Sequence, residues 1–201
     1  MFTPTLGNAV RREILDTFQA QPTHPLGALN GFDGSGVYAL YYTGAFPHYA
    51  ELVRKNGGDF KFPIYVGQAL KGARTGSSEF GRNETLFQRL QHHAGSIGSV
   101  TNLDVSDFRC RYLTLPRTWI TATEIWLFDD FRPLWNVKIT GFGNCPVGSN
   151  RQNQKAPPWD VLHPGRDGMG KGGASKGVDV VGRIAKVHLE PDPIFDLLAD
   201  Q

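Results

Sequence analysis

Apolar residues at helical spacing open the chain: Val10, Ile14, Leu15 and Phe18 recur three and four apart between Asn8 and Gln19, and Pro22 and Pro25 end the pattern. This predicts an N-terminal helix followed by an arm. After the glycine-rich GFDGSG turn, GVYALYYTG is an apolar, aromatic run of strand length bounded by Gly36 and Gly44, and FPIYVGQA reads as a second strand ending at Gly67. The two are candidates for an antiparallel pair, with a short helix expected between them around Tyr49 to Lys55. Asn83 to His93 carries Leu86, Phe87 and Leu90 against Gln88, Arg89, Gln91 and His92, an amphipathic helix closed by Gly95 and Gly98. Phe108, Cys110 and Tyr112 alternate with Arg109 and Arg111 between Asp107 and Leu115, which predicts a third, half-solvated strand. Arg117 to Phe131 follows as a strongly apolar helix stopped by Pro133. From Lys138 onward glycine, proline and asparagine dominate; GMGKGGASKG reads as a loop and PIFDLLA as a short terminal helix.

The elements add up to an α+β fold: a central three-stranded antiparallel sheet flanked by helices. They divide the chain into an N-terminal helix and arm (1–33), a core (34–137) and a loop-rich basic extension (138–201). With 201 residues, 40% of them hydrophobic and 20% charged, the chain is long enough for one well-buried core and has the composition of a globular protein. The N-terminus lacks the pattern of a secretory signal, and no apolar stretch reaches the roughly 18 residues of a membrane span, so a cytoplasmic location is expected. Two cysteines, Cys110 and Cys145, are too few for a disulfide framework or a cysteine-rich zinc site. The net charge of +2 is less informative than its distribution, since Lys138 to Lys186 holds eight basic residues against three acidic ones. That stretch is a candidate face for a polyanion.

The two strands carry a resemblance. Gly36, Val37, Tyr38 in GVYALYYTG and Tyr65, Val66, Gly67 in PIYVG look like the paired elements that name the GIY-YIG nuclease superfamily. Arg89 on the next helix, Glu124 on the helix after the third strand and Asn136 in PLWN follow in the order of the superfamily's arginine, glutamate and asparagine. YALYYTG, TNLD, RPLWN, GFGN and WDVLHPGR further resemble a branch of type II restriction endonucleases that cut the palindrome CCGCGG, over roughly residues 34 to 166. The resemblance implies a GIY-YIG core as the catalytic unit, with Tyr38 activating water and Tyr65 positioning water or phosphate. Gln68 departs from the pattern, standing where many relatives carry a lysine that some branches use to activate the nucleophile.

Read from its residues, the same set suits phosphodiester hydrolysis, which needs an activated water, a cation on the non-bridging oxygens and help for the leaving oxygen. A phenol titrating near pH 10 is a poor base at neutral pH and needs a proton acceptor; His93 is the candidate. Arg89 and His93 lie four apart on one helix, so both can reach one phosphate. Glu124 sits among Trp119, Ile120, Ile125, Trp126, Leu127 and Phe128, where an unpaired carboxylate would cost on the order of several kcal/mol, so a cation partner is expected. Mg2+, with Mn2+ as a substitute, fits a site with one protein carboxylate because it keeps most of its waters. Asn136 is a candidate for holding the catalytic water or Glu124. Arg151, Asn153, Lys155 and Arg166 are candidates for contacting double-stranded DNA. Cutting both strands of a palindrome implies a homodimer, and a restriction enzyme implies a cognate DNA methyltransferase encoded nearby. The alternatives are a repair or mobile-element nicking nuclease and a catalytically silent DNA-binding domain of the same fold.

Overall fold

A strand that is apolar on both sides belongs in the middle of a sheet. β2 (Gly36–Tyr42) takes that place and is buried at every position. The computed structural model describes residues 5–71, 84–144, 155–167, 173–174 and 176–189. It shows one antiparallel sheet in the order β1-β4-β2-β3, with β1 at His24–Pro25, β3 at Tyr65–Ala69 and β4 at Phe108–Thr114. The three expected strands are present, and the N-terminal arm adds β1 as a short outer strand pairing His24 with Cys110. Gly36 is needed where β2 begins, because a Cβ there would stand 2.0 Å from the Leu113 carbonyl oxygen of β4.

The alternation of β2 builds two cores. Val37, Ala39 and Tyr41 pack with Phe18 of α1 (Thr5–Ala20) and with Ile120 and Leu127 of α4 (Arg117–Phe131). Tyr38, Leu40 and Tyr42 pack on the opposite face with Leu86, Leu90 and Ile97 of α3 (Leu86–Gly98). A short α2 (Ala50–Asn56) stands between the two GIY-YIG-like strands, as expected. Arg111 of β4 ties the arm to the sheet: its buried guanidinium donates to the Gln21 carbonyl, to Gln19 Oε1 and to the Tyr41 hydroxyl, at 2.6 to 3.0 Å.

The packing continues across residue 138. α5 (Leu134–Val137), α6 (Pro158–Leu162) and α7 (Val178–Leu189) contribute Trp135, Trp159, Leu162, Val181, Ala185 and Leu189 to the same cluster as Tyr38 and Leu40, and Ile139 and Phe142 join them. These described residues therefore share one core with the strands. α7 was not expected: its buried stripe Val181, Ala185, Leu189 is short, and Gly182 interrupts the pattern. That glycine has a packing reason, since a Cβ would lie 2.5 Å from the His48 ring. The terminal helix expected at PIFDLLA lies outside the described residues.

A buried chain of hydrogen bonds explains several of the sequence motifs. Trp135 Nε1 donates to the Tyr49 hydroxyl at 2.9 Å, Tyr49 Oη and His163 Nε2 are 2.5 Å apart, and His163 Nδ1 and Asn102 Oδ1 are 2.9 Å apart. Because an indole N–H can only donate, Tyr49 passes its own proton toward Nε2, and Nδ1–H is left to donate to Asn102. Asn102 closes the chain through its amide to the Leu162 carbonyl. Burial, with His48 nearby, pushes the His163 pKa down to about 3. Above pH 6.5 the residue is neutral whether the chain is folded or not; below it, the unfolded chain takes up a proton that the folded one refuses. Stability is therefore expected to fall with pH between 6.5 and 3, with this histidine contributing at most about 1.4 kcal/mol per pH unit. Chemical denaturation of His163→Gln across that range checks this: the variant should lose that part of the slope while being less stable at pH 7 by on the order of 1–3 kcal/mol.

Candidate active site at the sheet edge

The register of β2 and β3 sets Tyr38 opposite Gly67 and Leu40 opposite Tyr65, which puts both tyrosines on one face as diagonal neighbours. Their ring centroids are 6.2 Å apart. Gly67 makes this possible, because a Cβ there would meet the Tyr38 hydroxyl oxygen at 2.5 Å. Across from them α3 starts on a reciprocal cap between Thr85 and Gln88, which fixes the helix and aims Arg89 and His93 at the tyrosines. The Tyr38 hydroxyl oxygen is 2.6 Å from His93 Nε2, and Arg89 Nε donates to the same oxygen at 3.3 Å. A guanidinium can only donate, so Tyr38 accepts from Arg89, and with His93 Nε2 unprotonated its own proton lies toward that nitrogen. Burial lifts the Tyr38 pKa well above the phenol range; neighbouring Tyr65 lifts it further, and Arg89 works against both. Tyr65 is raised by burial as well.

Glu124 arrives from the other side of the sheet, where α4 passes the outer edge of β3. Burial raises its pKa to about 7, opposed by Arg89 and by the backbone N–H of Gln68, which donates to it. Its charge acts on the ionisation of both Tyr38 and Tyr65, so the carboxylate shares their electrostatic environment. Two phenols, a guanidinium, an imidazole and a carboxylate are thus brought together from positions 38 to 124. The departure at Gln68 also has an explanation: its side chain turns to the opposite face, 3.5 Å from Thr121 Oγ1, and only its backbone serves Glu124.

Asn136 sits beside this group. Its Oδ1 accepts from the Val66 N–H and its Nδ2 donates to the Val66 carbonyl, each at 2.9 Å, so its amide clamps the free edge of β3. His92, the neighbour of His93, pairs with Glu84 at 2.9 Å. The DNA-contact assignment of Arg166 is corrected by its geometry. Its five N–H groups are all used inside the molecule, on the two Asp160 oxygens and the carbonyls of Gly141, Phe142 and Asn144. Its side chain is 5% exposed and lies over the Trp159 ring. Lys155 is exposed, and Arg151 and Asn153 lie outside the described residues.

Two site residues escaped the sequence reading. Phe142 stacks on the His93 ring at 4.6 Å with 20° between planes, and the Gly143 carbonyl accepts from Arg89 Nη2 at 3.3 Å. A Cβ on Gly143 would lie 2.5 Å from the Tyr65 hydroxyl oxygen. The signal was present in GFGN, whose second glycine leaves room for Tyr65. Arg89, His93, Phe142 and Gly143 line a cavity of about 440 Å³ open to solvent.

No cluster of three or more His, Cys, Asp or Glu side chains exists among the described residues. A closed, zinc-type ligand set is therefore not formed by them, whereas a hydrated hard cation held through Glu124 suits the raised pKa of that carboxylate. A carboxylate raised from 4.5 to about 7 binds its proton more tightly when folded, so its ionisation lowers stability as pH rises through that window. Glu124→Gln is expected to stabilise the cation-free protein at pH 8 by about 1–3 kcal/mol and to have little effect near pH 4, as read by urea denaturation at the two pH values.

The family model described as the Eco29kI GIY-YIG domain matches residues 30–181, well over half of the chain. No curated protein matches the sequence. The match runs from before β2 into α7. The chain belongs to the Eco29kI GIY-YIG family, a family of restriction endonucleases, and is a nuclease acting on DNA.

Proposed function

We propose that the protein is a type II restriction endonuclease that hydrolyses phosphodiester bonds in double-stranded DNA with Mg2+. The observation that carries this reading is the buried Tyr38 hydroxyl held between a fixed cation, Arg89, and a proton acceptor, His93 Nε2. A water lying against Tyr38 gives up its proton to the phenol oxygen as Tyr38 hands its own to His93. The transfer leaves a hydroxide nucleophile, a neutral tyrosine and a protonated imidazole. Burial makes a free Tyr38 phenolate costly, so the two proton transfers are coupled rather than separate. Arg89 stabilises negative charge as it develops on the Tyr38 oxygen and on the phosphate, and Tyr65 orients the phosphate from the neighbouring strand. Mg2+ held by Glu124 would supply positive charge for the phosphate oxygens and the leaving oxygen. Asn136 acts as a positioning residue by fixing β3, the strand that carries Tyr65 and the Glu124 anchor at Gln68.

The resemblance of YALYYTG, TNLD, RPLWN, GFGN and WDVLHPGR makes CCGCGG the recognition sequence to test first. Two-fold symmetry of that site calls for a homodimer, and a methyltransferase gene beside this one would protect the host DNA. Purified protein with Mg2+ is expected to cut a plasmid bearing CCGCGG into discrete fragments whose ends map to that site, with Mn2+ substituting. Glu124→Ala and Tyr38→Phe are each expected to lower the cleavage rate by about 10³-fold while retaining binding in a gel-shift assay. Single-strand nicks at scattered positions would favour the nicking-nuclease alternative, and binding without cleavage under any divalent cation the silent domain. Addition of Mg2+ at pH 8 is expected to raise the melting temperature of the wild type more than that of Glu124→Gln, a readout independent of cleavage.

A further inference from the structure

The basic residue that leaves the DNA-contact list has a different task. Arg166 gathers three carbonyls of one short turn, Gly141, Phe142 and Asn144, and is itself anchored by a two-pronged bond to Asp160 at 2.8 and 2.7 Å. Both side chains are almost fully buried, at 5% and 6% exposure, and Trp159 lies under the guanidinium at 4.7 Å. The turn combines local closure with this outside anchor. Gly141 holds φ +112, a conformation costly for other residues, and its carbonyl also accepts from the Asn144 N–H at 3.1 Å.

The two middle residues of that turn touch the site. Phe142 stacks on His93 and sets an edge against Tyr65, with ring centroids 5.1 Å apart. The Gly143 carbonyl holds Arg89 Nη2, and the missing side chain of Gly143 admits the Tyr65 hydroxyl. Arg89 and His93 are the two groups that set the direction of the Tyr38 proton, and the turn braces both.

We infer that the Asp160–Arg166 pair is a positioning element for catalysis, holding the turn 141–144 against Arg89, His93 and Tyr65 without touching substrate. The inference rests on the nuclease reading for its rate effect, though not for its structural one. A long ion pair elsewhere on the surface would contribute little. This one is buried, bidentate and shared with three carbonyls, so the turn loses its anchor when the fork is lost.

Arg166→Lys keeps the charge and cannot span Asp160 and three carbonyls together; Asp160→Asn keeps an acceptor and loses the ion pair, and serves if Arg166→Lys fails to fold. Tyr41→Phe, which loses a buried hydrogen bond on the far face of the sheet, is the control for general destabilisation. With duplex DNA and Mg2+, either clamp variant is expected to lower kcat about 10- to 100-fold with KM within about threefold, and Tyr41→Phe to hold kcat within about twofold. NMR of the His93 ring protons reads the same clamp without cleavage. Their signals, shifted by the Phe142 ring, are expected to move toward unstacked values in the clamp variants and to stay in place in Tyr41→Phe. An unchanged kcat, unmoved His93 signals, or an equal loss of kcat in Tyr41→Phe overturns the inference. If the wild type cuts no duplex with any divalent cation, the nuclease reading fails, and the His93 signals alone decide whether the clamp exists.

Discussion

The outer edge of β3 is the constraint on which the rest of the structure depends. A strand at the end of a sheet carries backbone N–H and C=O groups with no neighbouring strand, and each one buried without a partner would cost about 1–3 kcal/mol. Here the Ile64 carbonyl accepts from the Trp135 N–H, both backbone groups of Val66 go to the Asn136 side chain, and the Gln68 N–H goes to Glu124. α4 and α5 supply all three partners. The chain passes between them through Arg132, whose φ of +40 ends α4 in a left-handed turn, and then through Pro133. Closing the sheet edge and delivering a carboxylate to Tyr65 and Arg89 are therefore one structural event.

That event places incompatible groups together. Glu124 sits where burial raises its pKa to about 7, while burial also opposes the charge of Arg89, which the two tyrosines outweigh. A carboxylate so placed weakens the fold at neutral pH unless a cation accompanies it. This is the pattern of a site whose polar groups serve chemistry rather than stability. The contrast with the Tyr49–His163–Asn102 chain is instructive. There every donor meets an acceptor and no group is required to ionise, so the network only ties α5 and α6 to the segments before α2 and β4.

What was legible in the sequence follows from the range of the interactions that decide it. β2 could be read because a continuous apolar run admits few placements, α3 because its apolar and polar residues separate at helical spacing, and α4 because an apolar run of helix length ends at Pro133. Tyr38, Tyr65, Arg89, His93 and Glu124 were legible through residue type and order, and the structure brings those five together. α7 was hidden by Gly182, whose reason is His48, a residue more than a hundred positions away. The role of Phe142 was hidden because an aromatic beside two glycines has no local signature; only the packed structure sets it on His93. Asn136 was read as a partner of water or of Glu124, whereas its amide is matched to the spacing of one residue's N–H and C=O on an adjacent strand. No pattern along the chain encodes that match.

Arg166 shows why a local excess of charge is a poor guide to a DNA-binding face. Counterion release, and with it most non-specific affinity, depends on how many cations point at one phosphate backbone. The stretch from Lys138 to Lys186 has five more positive than negative residues, but Arg166 is sealed against Asp160 and three carbonyls. Lys138 and Arg183 gather instead with Val180, Ile184 and Val187 on the surface of α7. One of the segment's cations is thus spent on holding the turn at 141–144. Arg89 makes the complementary case: it is the single Lys, Arg, Asp or Glu of α3, yet it donates to Tyr38 beside the open cavity that Arg166 also borders. Where a cation points is set by the acceptors that compete for it: acceptors within the protein take all five N–H groups of Arg166, whereas Arg89 divides its bonds between the Tyr38 hydroxyl and the Gly143 carbonyl.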